Sequence, residues 1–145
     1  MRFIHGQDAL VAEWVAARIP HIGGPDAFGP HATVGVANDD KLIAGIVYHN
    51  YLPRYGHCEI SFAADTPRFA TRGVIRALLS VPFEQYACRT ASLMIPHKAA
   101  RVLRFVGGIG FVRRGCLPEF FAPGVHGEVY SMTMKDYEKL RQRIG

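Results

Sequence analysis

Arg68-Phe69-Ala70-Thr71-Arg72-Gly73 is the stretch on which the reading of this chain turns. It joins a run with strand character, residues 58–64, to a run with helical spacing that carries Val74, Ile75, Leu78, Leu79 and Phe83. A loop at such a junction can turn several backbone N–H groups toward one point. The helix that follows adds the partial positive charge of its N-terminus. Gly73 lets the backbone approach a ligand closely, and Arg68 and Arg72 supply full charges. The combination suits a pyrophosphate. An ordinary strand-to-helix turn with two solvated arginines has the same composition.

Outward from this loop the chain alternates between two periodicities. Upstream, Phe3-Ile4 starts a short strand, and Asp8 reads as the N-cap of a helix with Leu10, Val11, Trp14, Val15 and Ala17 at helical spacing, ended by Pro20. A Gly/Pro-rich loop over residues 23–30 follows. Two strand-like runs, residues 32–37 and 42–51, flank Asn38-Asp39-Asp40, which reads as a tight hairpin turn. Downstream, Pro82 should end or kink the helix after Gly73. Residues 90–95 read as a strand and residues 99–106 as a helix stopped by Gly107-Gly108. Residues 111–113 and 129–134 read as closing strands, with Phe120 and Phe121 in the loop between them. Residues 135–144 form a charged helix with Tyr137, Leu140 and Ile144 on one face. The expected fold class is α/β, a mixed sheet flanked by helices.

The bulk properties limit the function. A chain of 145 residues suits one domain, residues 1–145, and can bury a core without disulfides or metals. No apolar run approaches the roughly 18 residues of a membrane span. The segment Met1-Arg2-Phe3-Ile4-His5 has no apolar signal core, so a cytoplasmic location is expected. Cys58, Cys88 and Cys116 are odd in number and widely spaced, which reads as free thiols. The seven histidines include no H-x-x-x-H pair, and no metal site is expected. The net charge of +5 favours anionic partners, nucleic acid or a phosphorylated cofactor, yet the basic residues are dispersed and no nucleic-acid motif is present.

At the loop itself the sequence resembles the GNAT N-acetyltransferases. Their pyrophosphate loop follows Q/R-x-x-G-x-G/A, which Arg68 opens and Gly73 closes, with Thr71 in place of the inner glycine. Val74-Ile75-Arg76-Ala77-Leu78-Leu79 is similar to the helix after that loop. Pro82-Phe83-Glu84-Gln85 and Arg89-Thr90-Ala91 resemble the ribosomal-protein N-acetyltransferase branch. Gly110-Phe111-Val112-Arg113-Arg114-Gly115 resembles the Gly-Phe element after the second cofactor helix, and Val129-Tyr130-Ser131-Met132 the last strand. The resemblance covers about residues 32 to 135. It implies a mainly antiparallel central sheet flanked by helices, acetyl-CoA as cosubstrate, and acetyl transfer to an amine by direct attack in a ternary complex. It implies cofactor contacts from Phe62 and Ala64 through their backbone, and from Arg68, Phe69, Ala70, Thr71, Arg72, Gly73 and Val74. Family members are often dimers.

Two departures stand out. Pro96-His97-Lys98-Ala99 lacks the asparagine that often opens the second cofactor helix, and Phe105 or Val106 stands where many members place a tyrosine acid. Glu59 is the candidate base. An alkylammonium near pKa 10 must lose a proton before it attacks a thioester. Strand alternation puts Glu59, Ser61 and Ala63 on one face and Cys58, Ile60 and Phe62 on the other. A strand glutamate paired with an arginine, or in water, fits the same pattern. His49 and His57 flank the loop before Glu59 and could border a substrate entrance, as could Tyr48, Tyr51 and Tyr55. The alternative to an enzyme is a non-catalytic CoA-binding or protein-binding module. The acceptor, in the catalytic reading, is an amine-bearing small molecule or protein.

Overall fold

The alternating runs pair into one seven-stranded sheet in the computed structural model, which describes residues 1–145. Strands β1 (Arg2–Ile4), β2 (His31–Asn38), β3 (Lys41–Leu52), β4 (His57–Ala64), β5 (Thr90–Pro96), β6 (Val112–Ala122) and β7 (Val125–Thr133) lie in the order β1-β2-β3-β4-β5-β7-β6. Every neighbouring pair is antiparallel except β4 with β5, which run parallel. Four helices flank the sheet: α1 (Asp8–Ala16), α2 (Arg72–Ser80), α3 (Ala100–Ile109) and α4 (Met134–Ile144). This is the mixed, mainly antiparallel α/β architecture expected. No helix is long and apolar enough to cross a membrane.

The two faces of the sheet bury different partners. On one, Val11, Ala12, Val15 and Ala16 of α1 pack with Phe28 and Val47. On the other, α2, α3 and α4 bury Leu78, Leu79, Val106, Tyr137 and Leu140 against Val36, Ile46, Ile60 and Leu93. Each such side chain fully removed from water contributes about 1.5–3 kcal/mol. Gly35 and Gly45, opposite each other in the β2–β3 register, let α1 come close. A Cβ on Gly45 would lie 2.8 Å from Val15 Cγ2 and 3.0 Å from Val11 Cγ1.

Three local expectations change and one holds. Asp8 is the first residue of α1, after Gln7, and does not cap it. Its carboxylate instead accepts from the Thr33 backbone N–H at 3.0 Å and the Thr33 hydroxyl at 2.9 Å, tying α1 to β2. Pro82, which has no N–H to give, ends α2 as expected, and the chain widens into a π-turn over Val81–Gln85. Gly107 and Gly108 do not stop α3, which runs through them to Ile109 and ends at Gly110 with φ +132°. The last two strands are much longer than expected, and Phe120 and Phe121 lie in β6. The edge strand β6 is exposed over most of its length, so its residues show no buried/exposed alternation to read.

Candidate active site at the strand fork

Strands β4 and β5 pair through three registers only: His57 with Thr90, Cys58 with Ala91 and Glu59 with Ser92. Beyond Ser92 they part, and a cleft of ≈ 570 Å³ opens between them, lined by Ile60, Phe62, Ala64 and Phe69 on one side and by Leu93 and Phe105 on the other. The backbone of β4 faces this gap. The Asp65 N–H bonds to the Ile43 carbonyl at 2.8 Å on the β3 side. Antiparallel alternation therefore turns Phe62 and Ala64 the other way, where no strand pairs with them. Phe105 packs 5.5 Å from Phe62 and 5.8 Å from Phe69, ring centre to ring centre.

The expected anion loop sits at the start of α2, and its amides divide into two groups. Thr71 caps the helix, its hydroxyl accepting from the Val74 N–H at 3.2 Å. The N–H groups of Ala70 and Thr71 bond back to Pro67 and Phe69. Val74 and Phe69 are buried. Arg72 and Gly73 carry the two first-turn N–H groups that neither the helix ladder nor the cap satisfies. Space around Gly73 is open, with no atom within 4 Å of a Cβ built there. Helical glycine costs up to about 1 kcal/mol relative to alanine, and packing here does not require it.

Charge supports the same end of the cleft. Helices α1 and α4 begin with an acid in the first turn, Asp8 and Asp136, as the helix dipole favours. Helices α2 and α3 have no acid there and carry Arg72 and Arg101 in the first turn instead. A cation at a positive helix end is unfavourable alone, and a bound anion relieves it. Arg68, Arg72 and Arg101 are all exposed. Arg101 lines the cleft. Arg18 also lines it but is held by Asp65 at 2.8 Å and stacked over Trp14 at 3.6 Å. These residues fit the diphosphate and pantetheine of acetyl-CoA.

Glu59 stands at the last paired position before the fork, at the centre of a polar cross. His57 and Ser61 are its neighbours two residues away on β4, and His49 and Ser92 lie opposite it on β3 and β5. Two histidine–serine hydrogen bonds flank it: His49 Nε2 with Ser61 Oγ at 2.9 Å, and His57 Nε2 with Ser92 Oγ at 2.7 Å. The Asn50 amide donates to Glu59 Oε1 at 2.8 Å. Asn50 has φ +48° and lies where the β3–β4 register shifts between His49 and Leu52. A bulge with a left-handed asparagine thus aims a donor at the carboxylate. Glu59 Oε2 lies 3.9 Å from His49 Nε2. Burial holds the His49 imidazole below its ordinary pKa, with Glu59 opposing and His31 reinforcing the shift.

Other candidates fall elsewhere. Tyr48 is buried, its hydroxyl donating to the Leu78 carbonyl at 2.5 Å. Tyr51 stacks on Tyr86 at 4.6 Å, and Tyr55 is exposed. Val106 is buried in the core and Phe105 faces the cleft, so Phe105 is the ring beside the fork. Cys58 and Cys88 are buried and unpaired, and burial pushes the Cys58 thiol up to about 12. No group of three or more His, Cys, Asp or Glu side chains is arranged to hold a metal. Sequence reasoning missed Arg101 and Asn50 because neither belongs to a recognisable spacing. The hairpin of β6 and β7 also reaches the cleft rim, where Phe121 packs on His21 at 4.4 Å.

No protein-family model and no curated protein matches the sequence. Solved structures do match the fold. A candidate acetyltransferase aligns with TM-score 0.70 at 15% identity, covering 80% of this chain and 65% of that one. Another candidate acetyltransferase, from T. thermophilus, aligns with TM-score 0.67 at 15% identity over the same shares. A spermidine/spermine N-acetyltransferase from Vibrio cholerae aligns with TM-score 0.67 at 15% identity, covering 75% of this chain and 70% of that one. The chain spans 65% of the length of the first two. It has the GNAT acetyltransferase fold.

Proposed function

We propose that residues 1–145 form one acetyltransferase-like domain that transfers an acetyl group from acetyl-CoA to a primary amine in a ternary complex. The observation that carries this reading is the fork of β4 and β5, which opens a cleft with Arg101 on its wall, together with Phe69, three residues before α2 begins. When bound, acetyl-CoA supplies the acetyl group as an activated thioester. Arg72 and Gly73 hold the diphosphate with their first-turn N–H groups, aided by Arg68 and Arg101. The unpaired amides of Phe62 and Ala64 hold the pantetheine and polarise the thioester carbonyl. The side chains of Phe69 and Phe105 keep this part of the cleft dry. Glu59 at the fork supplies the negative charge that assists deprotonation of the amine.

The acceptor is an amine-bearing small molecule or protein; the structural neighbours named as spermidine acetyltransferases make polyamines the first to try. The domain is proposed to work in the cytoplasm, without a metal, and as a homodimer. Phe105 favours a second reading, a non-catalytic CoA-binding or protein-binding module, because the ring beside the fork has no hydroxyl to protonate a leaving thiolate. Calorimetric titration with acetyl-CoA and CoA is the test. Micromolar binding weakened by Arg72→Glu supports the cofactor site, and release of free thiol in the presence of amine separates the enzyme from the module. Absence of binding at millimolar ligand overturns both CoA readings.

A further inference from the structure

Ser61 alone of the five-residue polar cross lines the cleft; Glu59 does not. The Glu59 carboxylate is turned to the Asn50 amide on one oxygen and to His49 on the other. A base that touched the amine would have to face the cleft. Ser61 is the residue of the cross at the cleft wall, and its hydroxyl is hydrogen-bonded to His49. We propose that Ser61 and His49 carry the proton away from the acceptor amine, and that Glu59 acts through His49. This rests on the acetyltransferase reading above and adds to it a route for the proton.

In the transfer step the amine nitrogen forms its bond to the acetyl carbon, the carbon–sulfur bond breaks, and CoA leaves as thiolate and is protonated by solvent. The nitrogen proton passes to Ser61 Oγ as the Ser61 hydroxyl proton passes to His49 Nε2. Glu59, 3.9 Å away, stabilises the imidazolium formed. The imidazolium then passes its Nε2 proton to Glu59 Oε2, and Glu59, partly exposed on its own side of the strand, releases it to water, restoring the neutral imidazole and the carboxylate. The charged and titratable groups that face His49 are Glu59 on β4 and His31 on β2, while Asp8, the acid of the packed helix α1, is bonded to Thr33. The Pro25–Phe28 turn presents the Phe28 ring, 5.2 Å from the imidazole. An imidazole so placed is neutral at pH 7 and free to accept.

The test has one arm that needs no acceptor. Imidazole NMR follows the titration of His49 in the intact protein and in Ser61→Ala and Glu59→Gln. The relay requires both variants to move it: upward in Ser61→Ala, which loses a donor to the neutral ring, and downward in Glu59→Gln, which loses a nearby negative charge. A His49 titration unmoved by both overturns the proposal. The second arm measures free thiol released from acetyl-CoA with spermidine as the probe amine. Ser61→Ala and His49→Gln each lower kcat by about 100-fold, the double variant falls no further than either, and the KM for acetyl-CoA is unchanged. The acid limb of the pH–rate profile moves to lower pH in Glu59→Gln. Turnover that survives Ser61→Ala with an unaltered pH profile overturns the relay and leaves the acetyltransferase reading standing. Failure of acetyl-CoA to bind overturns that reading itself.

Discussion

Replacing Gly73 with glutamate should drive stability and acetyl-CoA affinity in opposite directions. Gly73 is the second residue of α2, and a Cβ there meets nothing within 4 Å, so the substitution begins in open space. Removing a helical glycine gains up to about 1 kcal/mol. A carboxylate in the first helical turn gains about 0.3–1 kcal/mol more from the dipole. Together they raise the melting temperature by roughly 5 °C in a chain of this size. The same carboxylate would confront the diphosphate of a bound ligand. A single charge against a double one at about 6 Å, with an effective dielectric of about 40, repels by about 3 kcal/mol, or roughly a hundredfold in Kd. Thermal denaturation and calorimetric titration read the two effects separately. A variant that melts higher yet binds acetyl-CoA as tightly as the parent refutes the anion site. One that melts lower refutes the open helical position assigned to Gly73.

Three further outcomes follow from the packing. Gly45→Ala should destabilise by about 1–3 kcal/mol in chemical denaturation, because its Cβ would press on Val11 and Val15 at the α1–sheet contact; an unchanged midpoint would contradict the close docking of α1. The Asp136 carboxyl is held below its ordinary pKa, chiefly by the Thr133 backbone N–H and also by the Thr133 hydroxyl and Arg114. Its folded-state pKa being depressed, its contribution is present above about pH 4 and lost as the pH falls through the folded value. Asp136→Ala should therefore cost about 1 kcal/mol at pH 6, with the gap to the parent closing in acid; a gap that persists at pH 2 would contradict the assignment. Phe105→Tyr places a hydroxyl on the one ring of α3 that faces the fork, and it should raise kcat about tenfold or more if thiolate protonation limits the rate. Equal turnover by both proteins would show that departure of the thiol needs no acid here.

What the sequence determined by itself is what neighbouring residues decide among themselves. Strand-like runs marked β2, β3, β4 and β5, the helical spacing of Leu78 and Leu79 marked α2, and Asn38-Asp39-Asp40 marked the hairpin, all within a few residues of their observed bounds. The loop of Arg68 to Gly73 was legible as the turn into α2, and it was expected to bind an anion because glycine, arginine and a helix start are adjacent in the chain. Tertiary structure alone decided the rest. Edge strand β6 is held by its ladder with β7 and leaves most of its side chains in water, so burial imposes no pattern on its sequence. Asp8 has the composition of a cap, but the Thr33 donors 25 residues away compete for its carboxylate. Ser61 faces the cleft while Glu59 turns aside because β4 and β5 part immediately after Glu59 and because a bulge at Asn50 supplies a donor from β3. Those are consequences of register between strands distant in sequence. Register is set by the summed pairing of whole strands, so no local window of residues contains it.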